Sequence, residues 1–190
     1  MKQEILRKLI HLSSILYPFL YTFLEKREML IITFILAIFL LLIDIIRIKS
    51  SLIRSFFNKF FAKISRENEI DGKFYGSTYF MIGTFFTILL FEKQIAIFSL
   101  LVLIISDTCA SLCGKAIRSR KIYQDKSLAG FLAFVFSASV ISVFINPWFI
   151  IAGFLTGIAE LYAKKIKIDD NLLIPVFYGF LSTIINYTTI

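Results

Sequence analysis

The stretch IAIFSLLVLIISDTCASLCGK, residues 95–115, decides how this chain is read. Its apolar run is long enough to enter a bilayer, and it carries Asp107 near its far end, followed by Gly114 and Lys115. A charged side chain at the centre of a membrane helix costs about 2.5–3.5 kcal/mol even on the forgiving insertion scale. Beyond Lys115 a basic loop runs to Lys126, Ser127 and Gly130, where the next apolar run begins. An aspartate kept in an apolar helix beside lysines and glycines points to a phosphate or metal–phosphate site at a membrane surface.

Composition agrees with a polytopic membrane protein. The chain has 190 residues, of which 58% are hydrophobic, more than a soluble domain of this length could bury. One integral membrane domain, 1–190, accounts for it. Nearly all of the length goes into spanning segments, so any chemistry falls to helix ends and short loops. Cys109 and Cys113 stand four apart in one helix, a poor spacing for a disulfide, and read as small buried residues. His11 is the single histidine, which excludes a multi-histidine metal site. Basic residues ahead of the first apolar run resemble a signal peptide, but no small-residue cleavage site follows, and a retained first span is expected.

Apolar segments near 9–24, 29–46, 74–91, 95–113, 128–145, 147–163 and 172–188 predict an all-α bundle of about seven spans. Residues 48–64 repeat apolar side chains at helical spacing, punctuated by Arg54, Lys59 and Lys63, and predict one interfacial amphipathic helix. With seven spans, 18 of the 21 basic residues fall on one side, which is then cytoplasmic and holds the N-terminus. The net charge of +8 is thus mainly a topology signal and argues against a nucleic-acid partner. Ten of the 13 acidic residues lie on or near the same face. Polar chemistry gathers at one leaflet. A transporter or ion-conducting bundle would instead place its acids near mid-bilayer and open polar residues to both sides; a non-catalytic membrane protein is the other alternative of a different class.

Several residues carry the chemical signal. Asp107, Ser111 and Gly114 share a helix face at i, i+4 and i+7, with a glycine where another backbone or a phosphate could approach. Lys126, Ser127 and Gly130 open a helix whose N-terminal N–H groups suit phosphate, or whose Ser127 is an ordinary cap. Glu160 follows Gly153, Thr156 and Gly157 on a small-residue face that turns it into the bundle; the alternative is an ion pair with Lys164. Asp169, Asp170 and Asn171 open the last span ahead of Pro175, either as caps or as oxygen ligands for Mg²⁺ with nucleotide phosphates. Asp44 and Arg47 stand three apart and can pair. Arg7 and His11 lie at the start of the first span, and Glu67, Asp71, Gly72, Tyr75 and Gly76 form a polar loop able to line the same cavity.

Taken in order, these blocks resemble the CTP-dependent lipid kinases: dolichol kinase, phytol and farnesol kinase, and the fungal-type diacylglycerol kinase. The resemblance rests on Arg7-Lys8-Leu9-Ile10-His11, Asp44 with Arg47, Ser106 through Ser111 with Gly114-Lys115, Lys126-Ser127-Leu128 with Gly130, Glu160, and Asp169-Asp170-Asn171 with Pro175. It departs from the family pattern at Arg118-Ser119, where a second glycine is usual, and at Ala129, where an acidic residue is usual. The Asp…Gly-Lys…Lys…Gly block is also similar to that of phosphatidate cytidylyltransferases, whose later glycine-rich signature is replaced here by Asp-Asp-Asn.

The resemblance implies a membrane-embedded kinase that moves the γ-phosphoryl group of CTP to the hydroxyl of a polyprenol, phytol, farnesol or diacylglycerol at the cytoplasmic face, with the bacterial inner membrane as its expected place. It implies Mg²⁺ on Asp107 and Asp170, with Asp107, Glu160, Asp169 and Asp170 as catalytic candidates. Lys115, Gly114, Lys126, Ser127, Gly130 and Asn171 are the nucleotide-binding candidates. Asp44, Arg47, Arg7, His11 and Ser111 support them. The alternative within the same chemistry is a CTP:lipid-phosphate nucleotidyltransferase.

Overall fold

The computed structural model describes residues 2–61, 64–65, 67–70 and 72–189. Lys63, Arg66 and Asp71 lie outside them, as do the side chains of Lys2 and Glu67. Helices dominate: α1 (Lys2–Ser13), α2 (Leu16–Phe23), α3 (Lys26–Lys49), α4 (Ser51–Phe61), α5 (Glu67–Ile70), α6 (Gly76–Leu90) and α7 (Lys93–Leu101) come first. A π-helical segment, Val102–Ser106, leads directly into α8 (Asp107–Ala116). A small antiparallel hairpin, β1 (Lys121–Tyr123) with β2 (Lys126–Ser127), precedes α9 (Leu128–Val143), α10 (Phe149–Ile166) and α11 (Asp170–Thr189).

Among the described residues, three helices are long and apolar enough to cross a membrane: α3, the continuous helix from Lys93 to Ala116, and α11. The shorter α6 and α9 are also apolar. Large apolar side chains on α3, such as Ile31, Phe34, Ile35, Phe39 and Leu42, face outward. A soluble surface rarely tolerates so continuous a patch, whereas lipid does.

The expected first span is two helices, broken at Ser14 and Ile15. Pro18, in the first turn of α2, has no N–H for the Ser14 carbonyl, and its ring crowds that position. The start of α3 follows its sequence closely: the Glu25 N–H donates to Glu28 Oε2 at 2.9 Å in a capping box. The amphipathic helix expected over 48–64 is α4, with Leu52, Phe56 and Phe60 outward and Phe57 half-buried. The basic loop after Lys115 contains the hairpin, which the sequence reading does not anticipate. Its turn is closed by Gln124 in the left-handed region, φ +48°.

The Lys93–Ala116 helix runs through the middle of the bundle. Val102, Leu103 and Ile104 of the π segment are fully buried, packed in one cluster with Phe80, Met81, Phe134, Ile174 and Tyr178. A second cluster around Tyr21, Met29, Ile88, Phe91 and Phe149 holds the far end. The small-residue face of α10 meets α9: Gly153 lies against Ala138, and Gly157 against Phe131, Phe134 and Val135. That contact turns Glu160 inward, 3% exposed.

One buried ion pair ties α3 to the start of α6. Arg47 Nη2 lies 2.9 Å from Asp44 Oδ1, and Arg47 also donates to the carbonyls of Glu69 at 2.8 Å and Lys73 at 2.5 Å. Asp44 Oδ2 accepts from the Tyr75 N–H at 2.8 Å and Thr78 Oγ1 at 2.6 Å. Arg47→Met is expected to lower stability by about 3–5 kcal/mol, because it strands a buried carboxylate. Thermal unfolding in detergent checks this; Asp44→Asn added to Arg47→Met should recover part of the loss, since the stranded charge is then gone.

Candidate functional site

The acidic residues noted above are drawn together at one end of the bundle by three different helices. Asp107 opens α8, Glu160 lies in the last turns of α10, and Asp170 begins α11. One carboxylate oxygen from each lies within 4.8 Å of the other two. Lys126, the first residue of β2, extends its ammonium among them: it pairs with Glu160 and lies 3.4 Å from Asp170 Oδ2. The alternative Glu160–Lys164 pair is not formed; Lys164 pairs instead with Asp125 on the hairpin, at 2.7 Å.

The preceding π turn helps to aim Asp107. A π turn inserts one residue into the helical register, so α8 is rotated relative to α7, and such turns recur at functional sites. Nothing in the residues 102–106 marks it in advance.

A second lysine completes the cluster. Lys8 of α1, 5% exposed, donates to Asp107 Oδ2 at 2.5 Å, and His11 Nε2 lies 3.6 Å from the same oxygen. Burial opposes the charge on Lys126, but the nearby carboxylates of Asp170, Glu160 and Asp107 outweigh it and hold the ammonium well above the ordinary lysine range. Three carboxylates therefore face two ammonium groups in a largely buried site. Two oxygens on one Mg²⁺, each at about 2.0–2.1 Å, stand at most about 4.2 Å apart. Small rotamer changes would bring this all-oxygen set into range, so the donors fit a hard divalent cation.

Asp169 has a different place. Its Oδ1 accepts from the backbone N–H of Asn171 at 3.0 Å and from Asn171 Nδ2 at 2.8 Å, the geometry of a helix cap. Asn171 Nδ2 also reaches the Gly76 carbonyl at 3.3 Å. Gly83 of α6 then admits the α11 backbone: a Cβ there would collide with the Asn171 carbonyl, which Pro175 cannot hydrogen-bond. Close approach of α6 and α11 thus positions Asp170.

Gly114 and Gly130 meet each other. A Cβ on either would press on the other's Cα at 3.4 Å, so of the two partners open to Gly114, backbone or phosphate, the structure supplies backbone. Of the two readings of the α9 N-terminus, phosphate seat or ordinary cap, the structure shows Ser127 as the cap. The Leu128 N–H bonds the Arg120 carbonyl, the Ala129 N–H bonds Ser119 Oγ, and the Gly130 N–H bonds Ser127 Oγ. Ser119 and Ala129, two positions where the chain departs from the family pattern, are joined by that bond of 3.0 Å.

Lys115 and Ser111 point to a residue that the sequence reading does not include among the candidates. Glu4 of α1 accepts from Lys115 Nζ at 2.6 Å and from Ser111 Oγ at 2.6 Å, and pairs with Arg7 at 2.6 Å. Glu4, Lys8 and His11 stand at i, i+4 and i+7, one face of one helix, a signal the sequence does contain. Burial pushes the Glu4 carboxyl up, but the hydrogen bonds of Lys115 and Ser111 and the charge of Arg7 prevail, and its pKa lies below the ordinary 4.5. A depressed folded-state value contributes stability that is complete above 4.5 and is lost as pH falls through the lower value. Acidification through that range should loosen α1 from α8, read as faster amide hydrogen exchange in α1 with little change in α11.

Beside the cluster lies a cavity of about 440 Å³ between α1, α3, α4 and α6. Tyr17, Leu40, Ile43, Phe57, Phe61 and Met81 line its apolar part, and Lys8, His11 and Asp107 stand at its polar end. Tyr75 and Gly76, from the loop expected to line such a space, are also in its wall.

No family model matches the chain, and no solved structure matches it. Its relatives include an uncharacterised protein of Rickettsia prowazekii, 38% identical over 192 residues that cover 95% of this chain and 94% of that one. A CTP-dependent diacylglycerol kinase of Schizosaccharomyces pombe is 32% identical over 155 residues, 70% of each chain. The corresponding Saccharomyces cerevisiae kinase is 29% identical over 149 residues, 76% of this chain and 50% of that one.

Proposed function

This chain belongs to the family of the CTP-dependent diacylglycerol kinases, and from that membership we propose that it moves the γ-phosphoryl group of CTP to the hydroxyl of a membrane lipid alcohol. The observation that carries this reading is the meeting of Asp107, Glu160 and Asp170 around Lys126. A soluble polyanionic donor and a lipid acceptor can meet only at the membrane surface, where this cluster of helix ends would lie. About seven helical passes, with the N-terminus and the site cytoplasmic in a bacterial inner membrane, fit the distribution of basic residues.

In this reading the acceptor oxygen attacks the γ-phosphorus, the bond to the β-phosphate oxygen breaks, and CDP leaves. Asp107 orients the acceptor hydroxyl and takes its proton. Lys126 turns from Glu160 and Asp170 to the phosphates, which its flexible stem allows. Lys115, 53% exposed, meets the outer phosphates once it leaves Glu4. Asp107, Glu160 and Asp170 would hold Mg²⁺, which would supply charge neutralisation for the transferring group. Asn171 and Asp169 fix the start of α11, while Ser127, Gly114 and Gly130 hold the joint that carries both lysines. Arg7, His11 and Ser111 keep α1 against α8, and Asp44 with Arg47 braces the loop beside them.

The reading is tested with purified protein in nanodiscs, supplied with CTP or ATP, Mg²⁺ or chelator, and diacylglycerol, polyprenol or phytol. It predicts a phosphorylated lipid that requires CTP and the cation. No lipid phosphate with any pairing would overturn it.

A further inference from the structure

We propose that the cavity between α1, α3, α4 and α6 receives the hydroxyl-bearing end of a two-chain glycerolipid, whose tails leave into the bilayer past α4. The proposal rests on the lipid-kinase reading and adds the place and direction of the acceptor. Its central observation is that, among the described residues, Asp107 is the one carboxylate common to the cavity wall and to the three-acid cluster. In-line transfer needs donor and acceptor on opposite sides of the reacting phosphorus. With the cluster as the donor side, the cavity is the acceptor side, and Asp107 stands between them.

The other wall carboxylates are engaged in structure. Asp44 is held by Arg47, Thr78 and the Tyr75 N–H, and Glu69 Oε1 accepts the Gly76 N–H at 2.8 Å. Asp44 and Glu69 each accept from a backbone N–H, whereas Asp107 is held through Oδ2 by the side chain of Lys8, with His11 beside it, and is the wall carboxylate whose partner can move aside for a hydroxyl.

Size limits how much lipid can enter. A cavity of about 440 Å³ lies toward the lower end of small-molecule sites, about 300–1,000 Å³, too small for two whole acyl chains. It suffices for a glycerol head, its ester groups and the first methylenes, and the tails must remain outside. Ser14 and Ser77 are among the lining residues, and serine hydroxyls can donate to ester carbonyls, which an isoprenoid alcohol, with one oxygen, lacks. α4 suits the opening: Phe57 and Phe61 face the cavity, while Leu52 and Phe56 are 81% and 59% exposed on its outer side. Arg54, Ser55, Asn58 and Lys59 occupy the remaining face, so α4 is an amphipathic helix whose aromatic half adjoins both the cavity mouth and lipid.

The test uses a diacylglycerol carrying a diazirine near the ester end of one chain, photolysed with the whole protein in nanodiscs without nucleotide. Labelling is expected on the cavity-lining positions Leu40, Phe57 or Met81, suppressed by unlabelled diacylglycerol and little affected by polyprenol. Leu40→Trp, which fills the cavity without touching the acidic cluster, is expected to raise the KM for lipid about tenfold or more with the KM for CTP unchanged. Folding of that variant is checked by its thermal transition, and the labelling of the unaltered protein decides if it fails to fold. Label confined to a second, apolar groove between α6 and α11, lined by Phe86, Leu90 and Phe180, absence of specific label, or equal protection by polyprenol overturns the proposal. Cavity labelling in a preparation that phosphorylates no lipid upholds the cavity and removes the kinase reading, so the two failures are told apart.

Discussion

Asp107→Asn should abolish nearly all lipid phosphorylation, by about 10³-fold or more, equivalent to about 4 kcal/mol of transition-state stabilisation. The substitution keeps side-chain size and removes only charge and basicity. Three things depend on that charge: the pairing with Lys8 at 2.5 Å, the three-carboxylate set, and the acceptor side of the proposed reaction. The loss should fall on turnover, because the lysines that would meet the nucleotide remain. Lys8, 5% exposed, would be left without its carboxylate, so some destabilisation is also expected. Lys8→Met combined with Asp107→Asn separates the two effects: it should restore part of the thermal stability and none of the activity. Recovery of activity in the double variant would assign Asp107 a purely structural role.

Lys126→Met should be nearly as damaging, for a different reason. It withdraws the ammonium that pairs with Glu160 and lies 3.4 Å from Asp170, and leaves those largely buried carboxylates facing each other. About 3–5 kcal/mol of stability should go with it, together with activity lowered by about 10³-fold, since phosphoryl transfer depends on positioning and charge neutralisation. A divalent cation then has more to offer the variant than the unaltered protein. Added Mg²⁺ or Ca²⁺ is expected to raise the Tm of Lys126→Met by more than it raises that of the parent. Equal cation shifts in both would argue against the carboxylate set as a metal site. Lys126→Arg keeps the charge but replaces a flexible point donor with a planar fork, so it should retain stability better than activity.

Much of this arrangement is legible in the chain because carboxylates in apolar helices are costly enough to stand out. Asp107 and Glu160 are visible that way, the small-residue face of Gly153, Thr156 and Gly157 tells which way Glu160 turns, and Asp170 shows only as part of the Asp169–Asn171 block, with capping as an equal alternative. What stays hidden depends on tertiary partners. Glu4 reads as an ordinary terminal charge until α1 is laid against α8, and Lys8, though part of the Arg7–His11 block, gains Asp107 as its partner only then. The Ser14 break follows from Pro18, yet the apolar residues on both sides of it let 9–24 pass for one span. The π turn before Asp107 has no compositional mark, and the occupied N–H groups of α9 come from Arg120 and Ser119, in the loop that the hairpin folds back. Asp169 and Asp170 look equivalent in sequence, whereas the fold makes one a cap and brings the other to the cluster.

The transferred group is the most direct test. CTP labelled at the γ-phosphate in one preparation and in the cytidine ring in another would be incubated with the protein and diacylglycerol, and the extracted lipid examined for each label. Phosphoryl transfer predicts γ-label in the lipid, an equal amount of CDP, and no cytidine label in the lipid. Cytidine label in the lipid fraction, with release of pyrophosphate, would contradict it and establish nucleotidyl transfer instead.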